Sequence, residues 1–145
     1  MYNYDARRVI NGTYGECWLD GDYLAEVTGC NIKIDFNKQA VNQVQTFMEG
    51  NKIIGGKGSG TLKFNKVTSR MLHYLSEATK KGIFEPMTII SNLKDPEAYG
   101  AERVKVSGVL FDSLTLADWE VAKTGEESYS FTFTDFTLID FISKK

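Results

Sequence analysis

Alternating apolar and polar positions dominate the chain. Thr28, Cys30, Ile32, Ile34 and Phe36 alternate with Gly29, Asn31, Lys33 and Asp35, the period-two signature of a half-buried strand. Gly60, Leu62 and Phe64 alternate with Thr61, Lys63 and Asn65, and Val104 and Val106 alternate with Lys105 and Ser107 before Val109-Leu110-Phe111. Tyr129, Phe131 and Phe133 alternate with Ser130, Thr132 and Thr134. The apolar phase then slips to Phe136 and Leu138, which predicts a bulge near Asp135. Upstream, Cys17-Trp18-Leu19 and Tyr23-Leu24 flank Asp20-Gly21-Asp22. Gly tolerates positive φ, so an Asp-Gly between apolar runs predicts a hairpin turn.

One segment has a helical period instead. Met71, Leu72, Leu75 and Ala78 fall on one face, with Tyr74 beside them. Thr68 or Ser69 suits the N-cap, Lys80 and Lys81 suit the C-terminal end of the dipole, and Gly82 suits the position after the last turn. The spacing predicts a helix over about 69–81. Pro86 then introduces a strand from Met87 to Leu93, and 94–100 reads as a loop. The resulting fold class is mainly β, a sandwich or barrel-like single domain over 1–145 with one flanking helix after the fourth or fifth strand.

The segment 37–60 breaks the pattern. It is over twenty residues long, where hairpin connections usually take about 2–5. It carries Val41, Val44, Phe47, Met48, Ile53 and Ile54 and then Gly55 and Gly56. A long extended loop with large apolar side chains predicts contact with another chain. An extra hairpin packed on the domain's own core is the simpler alternative.

Composition removes several chemistries. The chain has 145 residues, one His and two Cys, too few for a His-rich or Cys-dominated zinc site or for a disulfide scaffold. Seventeen basic and nineteen acidic side chains leave −2, so there is no global case for nucleic-acid or anionic-membrane binding. No secretory signal or membrane-length apolar run is evident, so the expectation is a protein made in a reducing cytosol with Cys17 and Cys30 as free thiols. The Asn11-Gly12-Thr13 sequon then reads as a turn. The charges are unevenly placed. Residues 33–82 hold nine basic and three acidic side chains (+6), 112–145 hold three and seven (−4), and 1–32 hold two and five (−3). That distribution suits a solvated surface, or head-to-tail assembly in which a basic face meets an acidic one.

Candidate catalytic motifs are weak. Gly55-Gly56-Lys57-Gly58-Ser59-Gly60 has the wrong spacing for a phosphate-binding loop, and it opens a strand rather than a helix, so close backbone packing or a hinge is the expectation. His73 is the one candidate neutral-pH base, and a dyad with Cys17 or Cys30 would require spatial pairing. Glu126-Glu127, or Asp112 with Asp118, would be solvated acids rather than a glycosidase pair. Trp18 and Trp119 are candidates for a sugar-stacking platform or for the core. The expectation is no catalytic residue, no cofactor and no metal.

An ordered set of segments nevertheless resembles the tail tube proteins of contractile-tailed phages, R-type bacteriocins and defective-prophage particles. It comprises Gly15-Glu16-Cys17-Trp18-Leu19-Asp20-Gly21, the passage from Gly55 through Thr61-Leu62-Lys63-Phe64 to Ser69, and the helix end Lys80-Lys81-Gly82. A late block follows, from Glu102-Arg103-Val104 through Val109-Leu110-Phe111-Asp112 to Tyr129–Phe136. The resemblance covers about 13–140; the first eleven residues and the last few match no part of it.

The resemblance implies a tail-tube fold whose six-copy rings stack into a hollow conduit that a contracting sheath drives through an envelope. The partners it implies are further copies of the chain, the tail sheath protein, and tape measure and baseplate proteins, with DNA crossing the lumen without sequence recognition where the particle carries it, and no membrane anchor. It places the protein in a virion or phage-like particle tail assembled in the bacterial cytoplasm. The segment 37–60 would then contact neighbouring subunits through Val41, Val44, Phe47, Met48, Ile53, Ile54, Gly55 and Gly56. A type VI secretion-like tube, a flexible-tail tube and a monomeric carbohydrate-binding sandwich remain the alternatives.

Overall fold

Asp20 and Gly21 both take positive φ, 49° and 87°, and close a two-residue turn between β1 (Gly15–Leu19) and β2 (Asp22–Tyr23). The computed structural model describes residues 3–143; the two residues at each end of the expected 1–145 domain lie outside the described residues. Two single-turn 3-10 helices, Ala6–Arg8 and Gly12–Tyr14, precede β1. The remaining elements are β3 (Val27–Val41), β4 (Gly50–Asn65), α1 (Arg70–Lys81), β5 (Met87–Leu93), β6 (Glu102–Phe111), β7 (Glu126–Phe133) and β8 (Asp135–Asp140).

All strand pairings are antiparallel, in the order β2-β1-β5-β6-β7-β4-β3, with β8 also on β6. Two layers share β6. Residues 103–107 of β6 pair with β8, whereas Leu110 and Phe111 pair with β7 in the other layer. The crossing falls at Gly108, which takes φ +68°, and a Cβ there would lie 2.0 Å from Thr134 Oγ1. Only glycine fits that corner.

The core lies between the layers. Cys17, Leu19, Ile89, Val106 and Val109 face Leu62, Phe64, Tyr129, Phe131 and Phe133. Phe64 stacks on Tyr129 with ring centroids 5.7 Å apart, and Phe111 meets Tyr129 edge-on. The buried Tyr129 hydroxyl is not orphaned, because it accepts from the Thr115 N–H at 3.3 Å. α1 lays Met71 and Leu75 against this core and ends in Gly82 at φ 72°, whose N–H donates to the Ala78 carbonyl. Ser69 occupies the N-cap, although its side chain makes no capping bond.

Two expectations change. The phase slip near Asp135 is a break between two strands rather than a bulge within one: β7 ends at Phe133 and β8 leaves for the other layer. Phe136 and Leu138 are accordingly exposed. The segment 37–60 is extended but is not a loop. It continues β3 and β4 as a paired hairpin out to Val41 opposite Gly50; every residue of 35–57 is exposed, so that part does not pack on the domain's own core, and only 58–60 reach into the body.

Candidate assembly surface

The outer half of the β3–β4 hairpin forms a free-standing arm. Its register runs Asn37 to Gly55, Lys38 to Ile53 and Val41 to Gly50, with an irregularity between Asn37 and Lys38. Residues 42–49 form the tip, where Gln45 adopts φ 62°. Nothing in the body covers the side chains. Val44 is 92% and Phe47 100% exposed, and Val41, Met48, Ile53 and Ile54 are also exposed. Large apolar groups gathered on one two-stranded projection are costly to leave in water, and a two-stranded ribbon is marginal alone, so the arrangement fits contact with another surface. Gly55 and Gly56 lie within β4 at the arm's root, opposite Asn37 and Phe36.

The start of β3, at the end away from the arm, is tied into the body. The Arg70 guanidinium donates to both carboxylate oxygens of Glu26, at 2.7 and 3.4 Å, joining the first turn of α1 to the residue before β3. Glu26 keeps the Arg70 guanidinium charged beyond its already high range. Tyr74 of α1 donates to Asp22 of β2; burial first, and then this bond, raise its phenol above the ordinary tyrosine range. An irregularity between Val27 and Gly29 changes the phase of β3, so Val27, Ile32 and Ile34 all reach the core. The Gly-rich string lies inside β4, where Gly58 and Gly60 pair with Phe133 and Phe131 and the two rings cover them. It is close packing and supplies no phosphate cradle.

Candidate chemical groups are dispersed or engaged. His73 is exposed on α1 with its ring 6.0 Å from that of Tyr74. Cys17 and Cys30 meet at one crevice, and His73 is not among the residues lining it. Glu127 is paired with Lys66 at 2.6 Å. Trp18 is engaged by Tyr23, with ring centroids 5.6 Å apart, and by the Arg103 guanidinium, 5.3 Å from its ring. Among the described residues no group of three or more His, Cys, Asp or Glu side chains converges on a metal position.

A second exposed apolar region was missed by periodicity. Between β6 and β7, residues 112–125 carry Leu116, Trp119 and Val121 in the open, among Asp112, Asp118 and Glu120. The segment has no regular period. Its only sequence signal was the pairing of large apolar residues with acids.

A β-rich body with an exposed apolar arm has the form of a subunit that meets other chains. The chain belongs to the phage tail tube protein family, whose model matches residues 2–140. It is a structural subunit of a tail tube and thus part of the tail of a virion or phage-like particle. Among its relatives, the phage-like element PBSX protein XkdM of Bacillus subtilis (strain 168) is 34% identical over 140 residues, covering 95% of each chain. YqbM of the same strain is 35% identical over 135 residues, covering 92% of each. In fold the chain is similar to a chain of the sheath–tube complex of an extracellular contractile injection system, with TM-score 0.70, 9% identity and coverage of 89% and 90%. It is also similar to the SPP1 tail tube, with TM-score 0.64, 10% identity and coverage of 92% and 81%.

Proposed function

We propose that this chain is one tail-tube domain that assembles as six-membered rings stacked into the hollow inner conduit of a contractile phage-like tail, and that the β3–β4 arm grips neighbouring copies. The arm carries the reading: it is paired with itself, exposed along its length, and apolar at Val41, Val44, Phe47, Met48, Ile53 and Ile54. Gly55 and Gly56 sit at its root, paired with Asn37 and Phe36. β3 is the last strand of its layer, so its outer edge has backbone donors and acceptors available for a strand of another copy. The positive middle of the chain and its acidic 112–145 region suit head-to-tail contact between copies.

The fold shared with a chain of a sheath–tube complex supports a tail sheath protein as partner, and tape measure and baseplate proteins complete the proposed set. DNA, where the particle carries it, crosses the lumen without sequence recognition. Assembly takes place in the bacterial cytoplasm, and the chain supplies no catalytic residue to the process.

Excision of residues 38–54, with Asn37 joined to Gly55 through an Asn-Gly turn, tests the assignment. The remaining register is unbroken, so a folded monomer that forms neither rings nor tubes in negative-stain electron microscopy is expected. Normal six-fold tubes from that variant would refute it.

A further inference from the structure

Cys17 and Cys30 lie thirteen positions apart in sequence and on different layers, yet they share one space. Cys17, buried on β1, points inward with Leu19. Cys30, exposed on β3, stands on the same strand face as Ile32 and Ile34, which pack on the core. β1 runs close to β3, but among the described residues no ladder joins the two strands. Both thiols line a crevice of about 260 Å³ in that seam, together with Ser91, the partner of Cys17 across the β1–β5 pair.

We propose that Cys17 and Cys30 form a paired-thiol modification site, which a small-molecule disulfide oxidises to an intramolecular disulfide that latches β1 to β3 within the body. The inference does not depend on the tube reading.

The two thiols differ in the way such an exchange requires. The neighbouring Cys17 thiol holds Cys30 below the ordinary thiol range, while Cys30 and burial push Cys17 well above it. Cys30, exposed and more easily ionised, attacks one sulfur of the reagent RSSR. The Cys30–S–S–R bond forms and RS⁻ leaves. Cys17 then gives its proton to RS⁻ and attacks the Cys30 sulfur, forming the Cys17–Cys30 bond and releasing the second RS⁻, which takes up the Cys30 proton from solvent. Two protein thiols are oxidised and one small disulfide is reduced to two thiols.

The test exposes the full chain to excess oxidised glutathione and reads intact mass and melting temperature. The expected product is lighter by two hydrogens, carries no glutathione and has no disulfide between chains. Closing a loop of this size raises Tm by about 10 °C, a gain that dithiothreitol reverses. Cys30→Ser should stay unmodified, because the remaining thiol is buried. Cys17→Ala, which keeps a small apolar group in the core, should hold a persistent glutathione adduct on Cys30. A lasting adduct on the unsubstituted chain, disulfide-linked dimers, or no reaction would each overturn the proposal. The unsubstituted chain alone decides between these outcomes if a variant fails to fold.

Discussion

A Cβ on Gly60 would sit 2.5 Å from Cζ of Phe131 and equally 2.5 Å from the Asn31 carbonyl oxygen. The Phe131 ring therefore lies directly on the β4 backbone, filling the place where a side chain would stand, while β3 closes from the other side. The pairing explains why a Gly-rich string runs through the middle of a long strand. Glycine normally weakens a strand interior, and here the aromatic rings of β7 cover the gap.

Gly60→Ala is expected to destabilise the fold by about 3 kcal/mol, since both a buried ring and a backbone carbonyl must shift. At Gly58 the added Cβ meets only the end of the Phe133 ring, at 2.5 Å, and no backbone atom. Gly58→Ala should cost about 1 kcal/mol. Chemical denaturation of both variants measures the difference, and equal costs would contradict this packing.

The Glu26–Arg70 pair ties the start of β3, at the end away from the arm, to α1. The Glu26 side chain is only 9% exposed, so removing its partner strands a poorly hydrated carboxylate. Arg70→Ala should lower stability by about 2 kcal/mol. Arg70→Lys should recover only part of this, because an ammonium cannot reproduce the forked geometry. Urea midpoints of the three proteins provide the comparison.

Tyr74 predicts an alkaline effect. Its folded phenol titrates above its unfolded value, so the unfolded chain releases the proton first as pH rises. The stability it contributes is intact below the ordinary tyrosine pKa and is lost as pH climbs through the raised one. Between about pH 8 and pH 11, unfolding midpoints should fall more steeply for the unsubstituted chain than for Tyr74→Phe. Parallel curves would show that Tyr74 does not contribute.

At the arm tip, function and stability should separate. Val44 and Phe47 touch nothing in the body, so Val44→Ser with Phe47→Ser should leave the unfolding midpoint within about 0.5 kcal/mol. If they anchor a neighbouring copy, the loss of about 2 kcal/mol per contact raises the critical concentration for tube growth about 30-fold. Sedimentation of concentrated protein reports that concentration.

Much of the local structure was legible from short-range rules. The strand Met87–Leu93 begins just after Pro86, and the helix starts at Arg70 and ends where Gly82 turns left-handed. The Asp20-Gly21 turn followed from its residues alone. The segment 37–60 was identified as a reaching element by length and apolar content, but its paired form was not. Polar and glycine-rich positions such as Asn37 and Gly55 break the period-two signal even where backbone bonds continue to pair them. The run past Phe133 shows the same limit: alternation reports that a strand exists and cannot say which layer it joins.

Alternation, turn chemistry and capping residues were therefore enough to define a β-rich subunit with one helix, because those signals act between residues a few positions apart. The order of the strands, the crossing of β6 at Gly108, the rings over Gly58 and Gly60, and the meeting of Cys17 with Cys30 came only from the folded chain. Each depends on residues from different strands arriving at one place in space. The exposure of the arm belongs with them, since whether Phe47 is buried is decided by what the rest of the body leaves uncovered.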